Sequence, residues 1–480
     1  MTSHPDTSAP PARTLIESRS IDWVPEGERT GKLWHQGPLW FLGNFQYFSI
    51  PIGFIGPSLG LSLGWSVVAG VLGIAIGTLF MAFHASQGPA MGLPQMIQSR
   101  AQFGYRGVIV PLVGTLFTYL AFNVADTILL SEGLHSSFGL DPKLVAAVAA
   151  LGAAVLAIFG HDWLHTAFRA LLYVSLPVMT ILTIGVLVGG AGGTPPAPGA
   201  YGFSWIAFMA QLGAAAAYNI TYAPYVSDYS RYLPVATAPR KVIAAVFFGA
   251  STSAIWLIAL GAWLAISLGA QDGLAGLQLA GNTVIPYLGD AAALLSAVAL
   301  WATMGMNAYG GTLTVLTMVD SFKPITPGRR ARIVTVVALT VVWYAVSSVV
   351  EAGSVATVLS SLTLMLYVLV PWTATNLVDY FLVRRGRYAL GDLFRPDGVY
   401  GTWSWRGITA CAVGFVAQIP FMVLTDINGW SYSGVVATAL GNADIAWLVG
   451  LAVTGVVYFA LARSLDVDAE IAAGDSVPHQ

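Results

Sequence analysis

The chain has 480 residues, of which 56% are hydrophobic and only 9% are charged. Soluble domains contain about 25% charged residues, so this composition excludes an ordinary soluble protein and indicates a polytopic protein in a lipid bilayer. The net charge of −2 provides no basic surface for nucleic acid, and the only cysteine, Cys411, excludes an internal disulfide.

Runs of about 20 apolar residues predict membrane-spanning helices, and we place twelve, which makes the fold class all-α. Predicted helices 1–12 cover residues 38–60, 63–84, 107–134, 143–161, 168–190, 203–225, 240–269, 289–317, 331–350, 354–383, 406–425 and 443–463. Polar cytoplasmic tails are predicted at 1–37, flexible to about residue 26, and at 464–480. A Gly- and Pro-rich linker at 189–202 divides ten helices into two sets of five, 38–190 and 203–383, and two further helices follow at 406–463.

The basic residues are concentrated on one side of the predicted bundle. All Lys and Arg except Lys143 lie in the tails or in and beside the loops that follow even-numbered helices. Because basic residues are retained on the cytoplasmic side, both termini are predicted to be cytoplasmic, in a plasma (inner) membrane protein. The loop at 92–107 is too polar to span the bilayer, and we expect it in the cytoplasmic interface with its arginines near the headgroups.

One short pattern occurs in both sets of five helices. Residues 45–51 and 218–224 each place an aromatic residue, an amide and a proline at the same offsets. Proline removes a backbone donor and clashes with the preceding turn, so predicted helices 1 and 6 should be interrupted there. The two helices run in opposite directions, and paired interruptions in inverted repeats indicate the binding site of a secondary transporter.

Asp126 is the only acidic residue that we place well inside a predicted helix. An ionised carboxylate there costs roughly 2.5–3.5 kcal/mol unless it pairs, takes up a proton or meets water. One interpretation is a packing contact with a neighbouring helix. The interpretation that we favour is that Asp126 faces a central cavity, accepts N–H donors from a planar heterocycle and carries the coupling proton.

Neutral amides lie at membrane depth on predicted helices 1, 3, 6 and 8, namely Gln46, Asn123, Asn219 and Asn307. Any one of them can serve only to hold helices together. Four of them, on the helices that line the centre of an inverted repeat, favour a polar, uncharged substrate. Phe45, Phe122 and Tyr218 provide aromatic faces on which a flat ring can stack.

Two other classes of function are weaker alternatives. His161, Asp162 and His165 resemble the two-histidine helix of zinc enzymes, but no third ligand is evident, so neither a metal site nor an enzyme is expected. A channel or receptor without coupling is the other alternative, and the paired helix interruptions argue against it. No cofactor and no obligate protein partner is expected.

Three stretches of the chain resemble the signatures of a known family. Residues 92–107, residues 227–234 and the stretch from 379–388 to 401–403 are similar to those of the nucleobase:cation symporter-1 family, in particular its purine/cytosine permease branch. The resemblance implies a LeuT-like fold of five-plus-five inverted helices with two more added. It also implies import of nucleobases and related heterocycles by alternating access, coupled to Na⁺ or H⁺.

The resemblance also assigns functional residues. It places substrate contacts on Gln46, Phe122, Asp126, Asn307 and either Tyr218 or Asn219. It places the cation site of sodium-coupled relatives on Leu42, Phe45, Ala302, Gly305 and Met306. Neither Gly305 nor Met306 carries a hydroxyl, and Na⁺ prefers oxygen ligands. Coupling to H⁺ through Asp126 is therefore favoured over coupling to Na⁺.

The sequence predicts, in sum, a secondary importer of a purine or pyrimidine base. The alternative is an importer of another small heterocycle, such as allantoin, a hydantoin, a nucleoside or a vitamin, coupled to H⁺ or Na⁺.

Overall fold

The computed structural model describes residues 20–193, 197, 199–325, 328–350, 354–427 and 430–474. Its α-helices are α1 (Gln36–Asn44), α2 (Ser49–Ile52), α3 (Ile55–Ser58), α4 (Leu63–Ala85), α5 (Gln87–Met91), α6 (Gln95–Gln98), α7 (Arg100–Phe103), α8 (Ile109–Phe138), α9 (Pro142–Phe159), α10 (His161–Leu187), α11 (Trp205–Ile220), α12 (Ala223–Ser230), α13 (Pro239–Ser267), α14 (Gly273–Val284), α15 (Leu288–Asp320), α16 (Arg329–Ser347), α17 (Ser354–Val378), α18 (Trp405–Gln418), α19 (Val435–Ala439), α20 (Ala446–Ala462) and α21 (Val467–Ala473). Short 3-10 helices lie at Glu26–Glu28, Leu33–His35, Gly391–Phe394 and Ile419–Phe421, and a π-helical turn lies at Asp379–Val383. Strands β1 (Val423–Ile427) and β2 (Trp430–Ser433) form an antiparallel hairpin in which Val423 pairs with Ser433.

Within the described residues, eight helices are long and apolar enough to cross a membrane. They correspond to predicted helices 2–5 and 7–10. The bent pair of α20 and α21 makes a ninth candidate if it is counted as one span. Predicted helices 1, 6 and 11 are interrupted or shortened and do not meet the criterion as single helices, so the count of twelve stays a prediction.

Both copies of the repeated pattern lie at interruptions of a helix. Residues 45–48 separate α1 from α2, and residues 221–222 separate α11 from α12. Pro51 and Pro224 lie in the first turn of the second helix of each pair, where a proline has no intrahelical hydrogen bond to lose. One backbone N–H of the first interruption donates to α15 at 3.2 Å, so it is paired with protein rather than exposed to lipid.

Two elements differ from the prediction. The helix α14 lies between α13 and α15, where the sequence predicted only a loop. Predicted helix 11 was extended to residue 425, but α18 ends at Gln418 and β1 follows. The prediction was wrong at this end because a short apolar run does not distinguish a strand from a helix.

The predicted N-terminal tail packs against the bundle from residue 20 onward. Ile21 and Val24 are buried, and the backbone N–H of Val24 donates to the carbonyl of Gly92 at 3.0 Å. The prediction of a flexible tail is therefore wrong for residues 20–26. The described residues do not include 1–19 and 475–480 of the predicted tails, nor 194–196 and 198 of the predicted linker.

Most of the loop at 92–107 is buried inside the protein, and of its two arginines Arg106 is exposed. The loop forms α6 and α7, and Arg100 is 0% exposed. The Arg100 Nη2 atom donates to Asp320 Oδ2 at 2.8 Å. The expected position of this arginine near the lipid headgroups was wrong, because a carboxylate on a distant helix supplies its counter-charge.

Close helix packing brings the two interruptions together in the centre of the fold. α4 packs against α11 and α13, while α15 packs against α8 and α9. The glycines of α4 allow the first contact: a Cβ atom on Gly73 or Gly77 would lie 2.3 Å from a carbonyl oxygen of α11. The interrupted segments lie between these two groups of helices.

Candidate functional site

Gln46 joins the two interruptions. Its Nε2 atom donates to the Tyr218 hydroxyl at 2.7 Å, and its Oε1 atom accepts from the backbone N–H of Phe48 at 2.6 Å. The Ser49 hydroxyl donates to the same Tyr218 oxygen at 3.0 Å. The amide of Gln46 therefore satisfies a backbone donor ahead of α2 and links the first repeat to the end of α11.

A second group, which we call the polar triad, consists of Asn123 and Asp126 on α8 and Asn307 on α15. The Asn307 Nδ2 atom donates to Asn123 Oδ1 at 2.9 Å and to Asp126 Oδ2 at 3.2 Å. Asp126 is 1% exposed, and among the described residues it forms no ion pair. The triad therefore places one carboxyl group among neutral amides.

Four aromatic side chains, which we call the ring cluster, lie beside the triad. Phe48 stacks on Tyr218 with ring centroids 5.5 Å apart and contacts Phe122 edge-on at 5.5 Å. Phe122 in turn stacks on Tyr222 at 5.8 Å, and Tyr222 contacts Tyr218 at 5.5 Å. The four rings close a circle of contacts, and Phe122 adjoins the triad through its neighbour Asn123.

The ring cluster and the polar triad together form one buried site. All of their side chains are at most 2% exposed. Aromatic faces recognise flat rings, and a carboxyl group beside amides recognises the donors and acceptors on a ring edge. The arrangement suits a planar, polar, uncharged molecule that takes the place of one of the ring contacts.

Five of the seven residues predicted to bind substrate belong to this site, a sixth, Gln46, donates to its Tyr218 hydroxyl, and Asn219 lies outside it. The Asn219 Oδ1 atom accepts from Asn44 Nδ2 at 2.8 Å, and its Nδ2 atom donates to Thr78 at 2.6 Å. This amide therefore ties α11 to α1 and α4. Of the two residues between which the family resemblance did not choose, only Tyr218 belongs to the ring cluster.

The residues predicted for a cation site point in different directions. Phe45 packs against Trp256, with ring centroids 5.0 Å apart, and the buried Leu42 uses its carbonyl to accept the N–H of Phe45 at 3.0 Å. On α15, Ala302 is buried. Gly305 faces Leu156 of α9 and Met306 reaches Gly43 of α1. No described contact tests a cation at these positions, and the assignment stays a prediction.

Two residues of the site and one residue that contacts it were not identified from the sequence. Phe48 and Tyr222 lie inside the repeated stretches, and Tyr225 follows the second one directly. The signal that could have found them is the clustering of aromatic residues around both prolines. Tyr225 matters because its hydroxyl donates to Asn307 Oδ1 at 2.8 Å.

The three signature stretches meet in a separate buried network at the basic end of the bundle. Neutral amides connect two buried carboxylates there, with donor–acceptor distances from 2.6 to 3.5 Å. In order, the network runs through Asp228, Gln95, Gln87, Asn376, Gln102 and Asp379. The network joins α12, the 92–107 loop and the end of α17, which are the elements on which the family resemblance depended.

The described residues contain no group of three or more His, Cys, Asp or Glu side chains able to hold a metal ion, and the zinc-like motif is not tested by this. The side chains of His161 and Asp162 lie outside the described residues. Of the three motif side chains, that of His165 alone is described, and it is buried.

Comparisons with known proteins agree with the signature stretches. A family model described as "Permease for cytosine/purines, uracil, thiamine, allantoin" matches residues 23–450. A Bacillus subtilis (strain 168) protein named as a candidate purine-cytosine permease, YxlA, is 36% identical over 452 residues, which are 93% of this chain and 96% of that protein. The purine-cytosine permease FCY2 of Saccharomyces cerevisiae is 24% identical over 260 residues, 51% of this chain and 47% of that protein.

A solved structure shows the same fold. Mhp1, titled a nucleobase-cation-symport-1 family transporter in a closed conformation with bromovinylhydantoin bound, matches with a TM-score of 0.70 at 18% identity, over 97% of this chain and 100% of that chain. At this identity the match concerns the fold alone. The predicted class, an all-α membrane protein with a LeuT-like inverted repeat, is confirmed.

Proposed function

We propose, because this chain belongs to the family of permeases for cytosine and purines, uracil, thiamine and allantoin, that it imports a purine or pyrimidine nucleobase by symport with H⁺. The family and its purine/cytosine branch are those that the signature stretches predicted. They make the chain a multi-pass membrane transporter of nucleobase-type molecules, coupled to a cation, rather than an enzyme.

The observation that carries the proposal is the position of Asp126. Its carboxyl group is buried beside Asn307 and close to the ring cluster. A nucleobase is flat, polar and uncharged, and its ring edge offers N–H donors that a carboxyl group accepts. An ionised carboxylate at membrane depth is costly. Protonation of Asp126 therefore favours the conformational change that moves access to the site from one side of the membrane to the other.

The choice of H⁺ over Na⁺ is supported by the residues of α15. Gly305 and Met306 occupy positions where a sodium site of this family would need hydroxyls, and neither supplies a side-chain oxygen. Na⁺ favours oxygen ligands, so backbone carbonyls alone leave a weak site. The alternative is import of another heterocycle, such as allantoin, a hydantoin, a nucleoside or a vitamin, coupled to H⁺ or Na⁺.

Uptake into proteoliposomes tests the proposal. With labelled cytosine or hypoxanthine, the wild-type protein is expected to accumulate substrate under an imposed pH gradient and not under a Na⁺ gradient alone. Asp126→Asn keeps the shape of the side chain and removes the titrating group, and it is expected to abolish accumulation. Asp444→Asn, a carboxyl change outside the site, serves as the control.

Two results would contradict the proposal. Accumulation by the Asp126→Asn variant with unchanged affinity and pH dependence removes Asp126 from coupling. Accumulation driven by Na⁺ alone assigns the other cation. Competition by unlabelled allantoin, a hydantoin, a nucleoside and a vitamin in the same assay decides between a nucleobase and the alternative substrates.

The sidedness of the bundle is part of the proposal. The basic loops favour cytoplasmic termini in the plasma membrane. Cysteines introduced at Lys323 and at Gln271 are expected to react with an impermeant thiol reagent from the cytoplasmic and the external side of the membrane respectively. The reverse pattern would contradict the orientation.

A further inference from the structure

Each amide in the polar triad has one orientation that satisfies its hydrogen bonds. A backbone carbonyl can only accept, so the carbonyl of Met304, 3.3 Å away, directs the NH₂ group of Asn123 toward itself. The Asn123 Oδ1 atom then faces Asn307 and accepts from its NH₂ group. That NH₂ group also donates to Asp126 Oδ2. Asn307 therefore presents donors, not its carbonyl oxygen, to α8.

The carbonyl oxygen of Asn307 faces Tyr225. The Tyr225 hydroxyl donates to Asn307 Oδ1 at 2.8 Å, and Tyr225 is 0% exposed. Its ring contacts those of Tyr119 and Tyr222, with centroids 4.4 and 5.1 Å apart. These ring contacts hold the hydroxyl in place, so its hydrogen bond opposes a half-turn of the Asn307 amide.

We propose that Tyr225 is a positioning residue that keeps the Asn307 amide in its donor orientation toward Asp126 and thereby sets the pH dependence of transport. The inference rests on the proposed function, in which Asp126 carries the coupling proton. An ionised carboxylate can only accept hydrogen bonds, so a donor from Asn307 stabilises it. A carbonyl oxygen in the same position would instead require Asp126 to hold a proton and donate.

The other groups that face Asp126 do not replace this effect. The titratable groups that interact with its charge are the hydroxyls of Tyr218, Tyr222 and Tyr225, from α11 and α12 and the link between them. α15 presents the neutral Asn307. In the described part of the chain, no Lys, Arg or His forms an ion pair with Asp126. The orientation of the Asn307 amide therefore contributes strongly to how well the charge of Asp126 is stabilised.

Replacing Tyr225 with Phe tests the inference. The change removes one hydroxyl and leaves Asn307 Oδ1 without its donor inside the protein. The hydrogen bond to Asn123 alone then holds the amide in its donor orientation, so the orientation with its carbonyl toward Asp126 becomes more populated, which favours the protonated acid. The pH at which uptake of labelled cytosine is half-maximal is expected to rise by about one unit, a tenfold change in proton concentration, as for the loss of one hydrogen bond.

Tyr119→Phe is the matched control. Tyr119 packs on the Tyr225 ring, and its hydroxyl donates to the carbonyl of Pro224 at 3.3 Å rather than to the triad. This variant also loses one buried hydroxyl, and its pH midpoint is expected to match that of the wild-type protein. If either variant does not transport, the pH dependence of cytosine binding to the purified protein provides the same comparison.

The outcomes separate this inference from the proposed function. If Asp126→Asn abolishes the pH dependence and Tyr225→Phe alone raises the midpoint, both stand. If Asp126→Asn keeps the wild-type profile, Asp126 does not carry the proton and both are overturned. If Asp126→Asn abolishes the dependence but Tyr225→Phe has the wild-type midpoint, or shifts no further than Tyr119→Phe, only the role of Tyr225 is overturned.

Discussion

Asp320→Asn is expected to destabilise the protein strongly, because it removes the carboxylate that faces a buried arginine at the basic end of the bundle. Asp320 ends α15 and accepts from Arg100 Nη2 at 2.8 Å. The side chain of Arg100 is 0% exposed and that of Asp320 is 11% exposed. Because an arginine in a protein does not lose its proton, the variant leaves a buried positive charge without its counter-charge.

The size of the effect follows from what Arg100 retains. Removing one partner of a buried ion pair costs about 3–5 kcal/mol. Arg100 keeps its hydrogen bonds to the Ser321 hydroxyl at 3.1 Å and to the carbonyl of Leu393 at 3.0 Å, and its guanidinium lies 4.1 Å from the centre of the Tyr105 ring. We therefore expect the lower value, about 3 kcal/mol, which lowers the melting temperature by about 5 °C.

Arg100→Gln is expected to cost less than Asp320→Asn. The carboxyl group of Asp320 lies nearer to solvent than Arg100, and after this change it still accepts from the Tyr105 hydroxyl at 3.2 Å and from the N–H of Ile325 at 3.3 Å. It can also take up a proton, which Arg100 cannot lose. Both variants lose the same ion pair, but Asp320→Asn is expected to be the less stable one, because Arg100 is the more deeply buried partner.

Thermal unfolding of the purified protein in detergent measures both variants. Asp468→Asn is the control: its pair with Arg387 at 2.6 Å has side chains 54% and 83% exposed, and exposed pairs contribute little. No measurable change is expected there. An Asp320→Asn protein as stable as the control, or less affected than Arg100→Gln, would refute the reasoning.

Three further changes test other parts of the structure. Asp444 lies outside the membrane-spanning helices, just before α20, and burial raises its pKa to about 6. Its carboxylate accepts from the hydroxyl of Tyr367 on α17. Because this pKa is higher in the folded protein than the ordinary carboxyl value, the contribution of Asp444 to the free energy of unfolding is complete below about pH 4. That contribution is lost as the pH rises through 6. The melting temperature of the Asp444→Asn variant is expected to lose this pH dependence. Gly77→Ala is expected to reduce the amount of folded protein, because its Cβ atom would lie 2.3 Å from a carbonyl oxygen of α11. The control is Gly64→Ala, whose Cβ atom would meet nothing within 4 Å and which is expected to leave the amount unchanged. Asn219→Ala is expected to lower thermal stability by about 1–3 kcal/mol without changing the KM for substrate, and a changed KM at normal stability would return this residue to the binding site.

The sequence predicts the long helices well because their signal is local. A run of about 20 apolar residues has few structural alternatives, and eight predicted helices have counterparts of spanning length and composition. The interrupted helices are harder to place, because each half is shorter than a span. Their positions came instead from the paired prolines, which mark where a helix cannot continue without losing a hydrogen bond.

The candidate site was predictable where the helix positions determine it. Gln46, Phe122 and Asp126 converge because their helices surround the centre of an inverted repeat. Neighbouring residues are harder to separate: Tyr218 and Asn219 differ by about 100° around α11, so only one can face the ring cluster. Helix periodicity does not choose between them, since both neighbouring faces are buried.

Partners far apart in the chain left no signal in the sequence. Arg100 and Asp320 are 220 residues apart, and a basic residue in a polar loop is ordinarily solvated. The expectation that Arg100 lies near the headgroups follows from composition alone. The structure differs because α7 folds back into the protein, and an arginine buried in that way requires a carboxylate from another element.

The role of Tyr225 shows why part of a binding site stays out of reach of sequence analysis. In the sequence this residue is one more aromatic side chain after a proline. Its importance follows from the direction of the hydrogen bonds, and that direction begins at the carbonyl of Met304, a backbone atom that every residue possesses. The direction set by this carbonyl on α15 fixes the orientation of Asn123 on α8, and Asn123 in turn fixes that of Asn307 on α15. Residue types alone show that donors and acceptors are present, but the Met304 carbonyl and the Tyr225 hydroxyl, at the two ends of the series, together decide which of them Asp126 receives.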